Sequence, residues 1–311
     1  MSVKLLQLCP LLPSTQARLD ERYEVHRWPE PSLQEAWLRD HAAGTEAVVT
    51  GGHQGVDPAI AARLPDLRIV AINGVGYDRV DIEAMRAAGV RVTNTPDVLT
   101  DDVADLAIAL MLNVMRGLPA SEQHVRDGLW PGAQPAIARR ASGLRYGIVG
   151  LGRIGQAIAG RLAGFGGSIA YTSQTRKDVA YAFHPDARSL AAVSDVLFIA
   201  TAASAATKAL IDRTVLDALG LDGVLVNIAR GSIIDEPALV QALVEHRLGG
   251  AGLDVFADEP NVPEALLTLP HVSLAPHVGS ATAETREAMG DLMLENLEAF
   301  FAGKPLPTAV V

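Results

Sequence analysis

The sequence predicts an α/β fold of two doubly wound parallel sheets, and three observations carry that prediction. Short apolar, β-rich runs alternate with helical patterns along most of the 311 residues, as βαβ units require. The alternation restarts midway at Tyr146-Gly-Ile-Val-Gly150, after an irregular stretch holding Gly128, Pro131, Gly132 and Pro135. The length is enough for two filled cores.

In the first series, the opening run Met1-Ser-Val-Lys-Leu-Leu-Gln-Leu-Cys-Pro reads as a buried strand. It is too brief for the apolar region of a secretion signal. Strands are predicted over 47–50, 67–72 and 90–93, with helices over 58–64 and 81–88, the latter stopped by Gly89. A long helix follows Thr95-Pro96. Thr100 is its expected N-cap, with Asp101 and Asp102 where the helix dipole favours them. Residues 103–115 are apolar on nearly every face, which predicts a helix buried between domains; Gly117 and Pro119 close it. The second series has strands near 168–172, 196–200, 224–227, 251–255 and 272–274. A last helix over 284–300 has no strand after it, which suggests that it crosses back to the first domain. The division expected is 1–98 plus 285–311 for one domain and 99–284 for the other, with a ligand cleft between them.

Composition narrows the function. Hydrophobic residues make up 49% and charged residues 20%, with a net charge of −10. That balance argues against a nucleic-acid partner and gives no polybasic membrane patch. No apolar stretch approaches the ~20 residues of a membrane span, so a cytoplasmic location is expected. Cys9 is the single cysteine, so an intrachain disulfide is excluded. The eight histidines are scattered, and no metal is expected.

Gly150-Leu-Gly152-Arg153-Ile154-Gly155 follows a strand and opens a helix. The first glycine makes the tight turn, the second admits a pyrophosphate to the backbone, and the third lets helix and strand pack. The amides of Arg153 and Ile154 lie at the helix N-terminus, where anions are favoured. The next strand decides which dinucleotide binds. An NAD site places an acid there, ~20 residues on, for the ribose hydroxyl. Here the sequence reads Tyr171-Thr-Ser173-Gln174-Thr175-Arg176-Lys177, with no carboxylate before Asp178. Ser173 and Thr175 offer hydroxyls and Arg176 a fork suited to phosphate. NADPH is therefore the expected cofactor, with NADH as a weaker substitute. The plainer alternative is a solvated basic turn.

Three further residues follow in order: Arg230 in Val-Asn-Ile-Ala-Arg-Gly-Ser-Ile-Ile-Asp, Glu259 in Asp-Glu-Pro, and His277 in Ala-Pro-His-Val-Gly. A guanidinium can grip a 2-keto acid's carboxylate with two parallel hydrogen bonds. An imidazole titrates near neutrality and can supply a proton as charge builds on the carbonyl oxygen. A carboxylate on the distal ring nitrogen would orient that ring and favour its charged form. Each residue taken alone has a plainer reading, as a surface ion pair, a turn or a loop histidine.

Together these motifs resemble the D-isomer-specific 2-hydroxyacid dehydrogenases over nearly the whole chain. Gly74-Val75-Gly76-Tyr-Asp78, Asn94-Thr-Pro96-Asp-Val-Leu-Thr100, Val103-Ala-Asp105 and Pro276-His277-Val-Gly-Ser280-Ala-Thr282 add to the match. Within the family, the non-acidic turn is most similar to NADPH-dependent glyoxylate/hydroxypyruvate reductases. The resemblance implies a Rossmann cofactor domain, a flavodoxin-like substrate domain and a homodimer acting on small 2-keto acids. It implies catalytic roles for Arg230, Glu259 and His277, and substrate contacts from Val75, Gly76 and Ser280, the last also readable as a helix N-cap. It places Thr100 and Asp254 at the cofactor, and His53 in a substrate-covering loop. Trp130 has two readings: an arm into the partner's substrate site, or an anchor in a dimer interface. Two alternatives remain open at this stage. One is a reductase of a larger keto acid such as phenylpyruvate or hydroxyphenylpyruvate. The other is a non-catalytic dinucleotide-sensing scaffold like the corepressors that share this fold.

Overall fold

A computed structural model describes residues 2–311, and the chain divides into two compact units, Met1–Leu99 with Ala281–Val311, and Thr100–Ser280. In the first unit, strands β1 (Lys4–Gln7), β2 (Glu24–Arg27), β3 (Thr45–Gly51), β4 (Ile69–Asn73) and β5 (Arg91–Thr93) form a parallel sheet. Their order is β2-β1-β3-β4-β5, the flavodoxin-like arrangement. Alternate residues of each strand face opposite ways, and both faces are covered. Leu5, Val49, Ile69 and Ala71 pack with Leu19 of α1 (Pro13–Arg22), with Tyr23 just after it, and with Met293 and Leu297 of the final helix, Ala283–Phe301. Leu6, Val48, Val70 and Val92 pack with Trp37 and Leu38 of α2 (Gln34–His41), and with residues flanking α3 (Pro58–Ala61) and Met85 in α4 (Ile82–Ala87). Asp81 caps α4 through Ala84 N, and Gly89 turns the chain at φ +72°. Cys9 is buried in this core, and burial pushes its thiol up to about 12 against the opposing pull of Arg286.

Beyond the final helix the tail returns to the sheet. Ala309 bridges Thr93 antiparallel, Val310 N donates to Val92 O at 2.7 Å, and Arg91 Nε donates to Val311 O at 2.8 Å. The otherwise open edge of β5 is thereby covered.

The second unit opens with α5 (Thr100–Arg116) and α6 (Leu118–Arg126), bent by 64° at Gly117. Thr100 is the first helical residue rather than the cap before it. The burial of α5 is also more one-sided than its sequence suggests. Val103, Ala104, Ala107, Leu110, Met111 and Met115 form a buried stripe, while Asp101 and Asp105 stay outside and pair with Arg161. Helix α6 has no buried residue, so no apolar stripe announces it in the sequence. After it come exposed Leu129, Trp130 and Ile137.

Strands β6 (Arg145–Val149), β7 (Ser168–Thr172), β8 (Ala182–Phe183), β9 (Val196–Ile199), β10 (Val224–Asn227), β11 (Gly250–Leu253) and β12 (Val272–Leu274) complete this unit. They form a seven-stranded parallel sheet ordered β12-β11-β10-β9-β6-β7-β8. Its helices are α7 (Arg153–Ala163), α8 (Ala187–Ala191), α9 (Arg213–Leu219) and α10 (Glu236–Val244), making the final helix α11. The strand order reverses between β6 and β9, and the loops leaving those two strands meet there, as ligand sites in such sheets require. Among the described residues, no single helix is long and apolar enough to cross a membrane, and no group of three or more His, Cys, Asp or Glu could hold a metal ion.

Candidate active site

The loop after β6 is shaped by its glycines. Gly150 has φ +96°, and a Cβ there would lie 2.7 Å from the backbone of Thr201 in the loop after β9. A Cβ on Gly155 would lie 2.0 Å from Gly150 O. Gly152 differs: nothing lies within 4 Å of the Cβ it lacks, and it precedes α7 without a side-chain cap. No acidic residue occupies the first turn of α7. An open glycine before uncapped helical amides, free of carboxylates, fits a dinucleotide pyrophosphate.

The end of β7 is built differently. Tyr171 is fully buried, and its hydroxyl accepts from Lys177 N at 2.7 Å and donates to Lys177 O at 3.1 Å. Those bonds close the turn 173–177. Within it, Ser173 Oγ donates to Thr175 O at 2.6 Å. Gln174, Thr175 and Arg176 are exposed, and the strand and turn together hold no acid.

Arg230 stands at the end of a tight turn after β10. The buried Asn227 builds that turn: its Nδ2 donates to Arg230 O at 3.0 Å, and its Oδ1 accepts from Ala229 N at 3.1 Å. The next residue must be glycine, because a Cβ on Gly231 would lie 2.0 Å from the carbonyl carbon of Phe256. This close approach seats the Arg230 turn against the segment that carries Glu259. Glu259 Oε1 accepts from Phe256 N at 3.0 Å, and Oε2 meets His277 Nδ1 at 2.7 Å. Burial pushes the Glu259 carboxyl up. The hydrogen bonds from His277 and Phe256, with the nearby charges of His277 and Arg230, outweigh burial and hold it below its ordinary value.

His277 occupies the left-handed region at φ +54°, an uncommon place for a residue with a Cβ. Asp254, 1% exposed, holds it there. His277 N donates to Asp254 O at 2.9 Å, Val278 N to Oδ1 at 2.7 Å, and Gly279 N to Oδ2 at 2.9 Å. Burial raises the Asp254 carboxyl above its usual range, and the two amide bonds partly offset that rise.

These parts have known counterparts. Residues 108–279 match the model of the D-isomer specific 2-hydroxyacid dehydrogenase NAD binding domain. The chain belongs to the D-isomer specific 2-hydroxyacid dehydrogenase family. Hydroxyphenylpyruvate reductase of Plectranthus scutellarioides is 47% identical over 312 residues, covering 100% of this chain and 99% of that protein. Glyoxylate/hydroxypyruvate reductase A of Arabidopsis thaliana is 46% identical at the same coverage. A solved NADPH-dependent glyoxylate/hydroxypyruvate reductase from Sinorhizobium meliloti, in complex with NADP and malonate, is 42% identical. It superposes with a TM-score of 0.91 over 100% of this chain and 97% of that one. Membership makes the chain an enzyme of the 2-hydroxyacid dehydrogenase class with a nicotinamide dinucleotide cofactor.

Within the second unit the dehydrogenase brings Glu259, His277 and Asp254 into one hydrogen-bonded group, with the charge of Arg230 acting on Glu259. Ser280 is half-buried and does not cap the last helix; Thr282 does so, accepting from Thr285 N at 3.2 Å. In the first unit, Val75 and Gly76 lie in the turn after β4, and His53 is exposed in the loop after β3. Gly52 and Gly74 bring those loops together: a Cβ on Gly74 would lie 3.1 Å from Gly52 N. Sequence reasoning gave no role to Asn227 or Gly231. The available signal was an amide ending an otherwise apolar strand, since such a group must find partners where it is buried.

Proposed function

We propose that this enzyme is a cytoplasmic, NADPH-dependent reductase of small 2-keto acids, with glyoxylate and hydroxypyruvate as leading substrates. The product is the D-hydroxy acid where it is chiral. The 2.7 Å pairing of His277 Nδ1 with Glu259 carries the reading. It engages Nδ1 and orients the ring, and Nε2 is the nitrogen we assign to the substrate.

Arg230 binds the substrate carboxylate and polarises the adjacent ketone. The amides of Val75 and Gly76 are the first unit's donors to the substrate carboxylate. When bound, a nicotinamide dinucleotide would supply the hydride for the keto carbon. His277 Nε2 gives its proton to the carbonyl oxygen as negative charge builds there, and the ring is reloaded from solvent. Ser280 contacts the substrate, while Thr100 and Asp254 face the cofactor. The preference for NADPH rests on the acid-free turn, where Ser173, Gln174, Thr175 and Arg176 would receive the 2′-phosphate. The S. meliloti reductase with NADP supports the same choice.

A second reading, a larger substrate such as hydroxyphenylpyruvate, is favoured by the identity to the Plectranthus enzyme. The active form is a homodimer. Exposed Val125, Leu129, Trp130 and Ile137, with Ile137 at 102% relative exposure, form the apolar segment that a second copy would cover. Trp130 then either reaches the partner's substrate site or anchors the interface.

Loss of nicotinamide absorbance with NADPH or NADH, against glyoxylate, hydroxypyruvate, pyruvate and phenylpyruvate, tests the assignment. Fast NADPH oxidation with the two small polar acids is the expected result. Preference for phenylpyruvate would favour the second reading, and faster turnover with NADH would overturn the cofactor choice. Sedimentation of an active monomer would remove the dimer.

A further inference from the structure

Two successive amides in the first unit, Val75 N–H and Gly76 N–H, are half-buried and find no acceptor among the described residues. Their direction follows from the peptide planes behind them. The one cis bond among the described residues is Glu259–Pro260, so the peptides of this turn are trans, and each N–H points opposite to the carbonyl it shares a plane with. The carbonyl of Gly74 accepts from Thr95 N at 2.9 Å. The carbonyl of Val75 accepts from Asn94 Nδ2 at 2.9 Å. Both carbonyls are therefore drawn toward residues 94–95, and both amides are aimed away from them, side by side, as an anion-binding nest requires.

Asn94 is itself tethered from the end of the chain. Thr308 Oγ1 donates to Asn94 O at 2.6 Å. The same hydroxyl accepts from Asn296 Nδ2 at 2.8 Å, and Asn296 Oδ1 accepts from Thr308 N at 3.1 Å. Asn296 is fully buried in α11, and its second N–H donates to Leu292 O at 2.8 Å. Every hydrogen-bonding direction of that amide nitrogen is used, so the side chain has a single orientation.

We propose that Asn296, Thr308 and Asn94 form a positioning relay, through which the C-terminal tail sets how tightly the Val75–Gly76 turn holds the substrate carboxylate. The relay runs from the Asn296 amide to the Thr308 hydroxyl, to the Asn94 carbonyl, and from the Asn94 side chain to the Val75 carbonyl. None of the three side chains touches substrate. This rests on the reading that the two amides bind that carboxylate.

The test uses the full-length enzyme with NADPH, glyoxylate as substrate and oxalate as a non-reacting carboxylate probe. Thr308→Val removes the hydroxyl while keeping the shape. It should raise the glyoxylate KM and the oxalate Kd about tenfold, the equivalent of ~1.4 kcal/mol, with kcat and the NADPH KM within about twofold. Thr308→Ser should restore both constants, which a purely structural role does not require. If Thr308→Val fails to fold, Asn94→Ala, which leaves the tail bridged to β5, carries the same expectation. Wild-type protein labelled with 15N-glycine reports on the underlying reading, because oxalate should shift the Gly76 amide resonance. A shifted Gly76 amide together with an unchanged oxalate Kd in the variants would overturn the relay alone. An unshifted amide would overturn the carboxylate reading and the relay with it.

Discussion

The segment from Asp254 to Gly279 and the turn 173–177 both belong to the second unit, yet they are built on opposite principles. In the first, Glu259 and Asp254 each spend both carboxylate oxygens on named donors, and the histidine between them is held at φ +54°. In the second, Tyr171 closes the turn from below, while Gln174, Thr175 and Arg176 stay exposed. The contrast follows from the tasks proposed for them. A proton donor must be placed to within a fraction of an ångström before substrate arrives. A phosphate-selecting cation can stay hydrated until the ligand's own charge fixes it.

If that contrast is right, the largest effect comes from the rigid segment. His277→Ala should lower kcat on the order of 10²–10⁴-fold and leave the NADPH dissociation constant, read by fluorescence titration, within about twofold. Activity near wild type would break the comparison at its centre. Asp254→Asn comes next. An amide side chain turns an N–H toward a backbone donor, which costs about 1–3 kcal/mol in stability. The displaced His277 loop should lose roughly ten- to hundredfold in kcat, measurable beside a thermal melt. Arg176→Ala should raise the NADPH KM about tenfold, as loss of a charge-assisted phosphate contact does, with NADH kinetics unchanged. An equal rise for both cofactors would move Arg176 from phosphate selection to general folding of the turn.

The smallest effect concerns acid stability. Glu259 is held below its ordinary value in the folded enzyme, so on acidification the unfolded chain takes up this proton first. The stabilisation is fully present above the ordinary carboxylate range and is lost as pH falls through the folded value. Glu259→Gln should therefore flatten the acid side of the melting-temperature profile. An unchanged profile would show that the His277 pairing adds no net stability.

The central strands were readable because they are buried on both faces and appear as unbroken apolar runs, such as Val196–Ile199 and Val224–Asn227. Elements at the margin were not. Strand β2 reads Glu-Val-His-Arg, β8 has two residues, and α6 buries nothing, so none carries a periodic apolar signal. The site divides in the same way. Glycine spacing and the residues Arg230, Glu259 and His277 were legible as local motifs. The grip of Asp254 on the amides of Val278 and Gly279 was not, because it joins positions 24 and 25 residues apart through backbone groups that every residue possesses. Nor was the contact between Gly231 and Phe256, which is a matter of distance rather than residue type.

The lone sulfhydryl of Cys9 gives the molecule an internal clock. It sits in the core of the first unit, 6% exposed, with its thiol pushed up to about 12, and the chain has no other cysteine. Both features silence it toward alkylating reagents, since the thiolate is the reactive species. Its modification rate in native buffer therefore counts the moments when the five-stranded sheet lets reagent in, and the seven-stranded sheet contributes no background. Labelled mass against time, with and without 2-keto acid or NADPH, would read the opening of one half of the enzyme residue-free of the other.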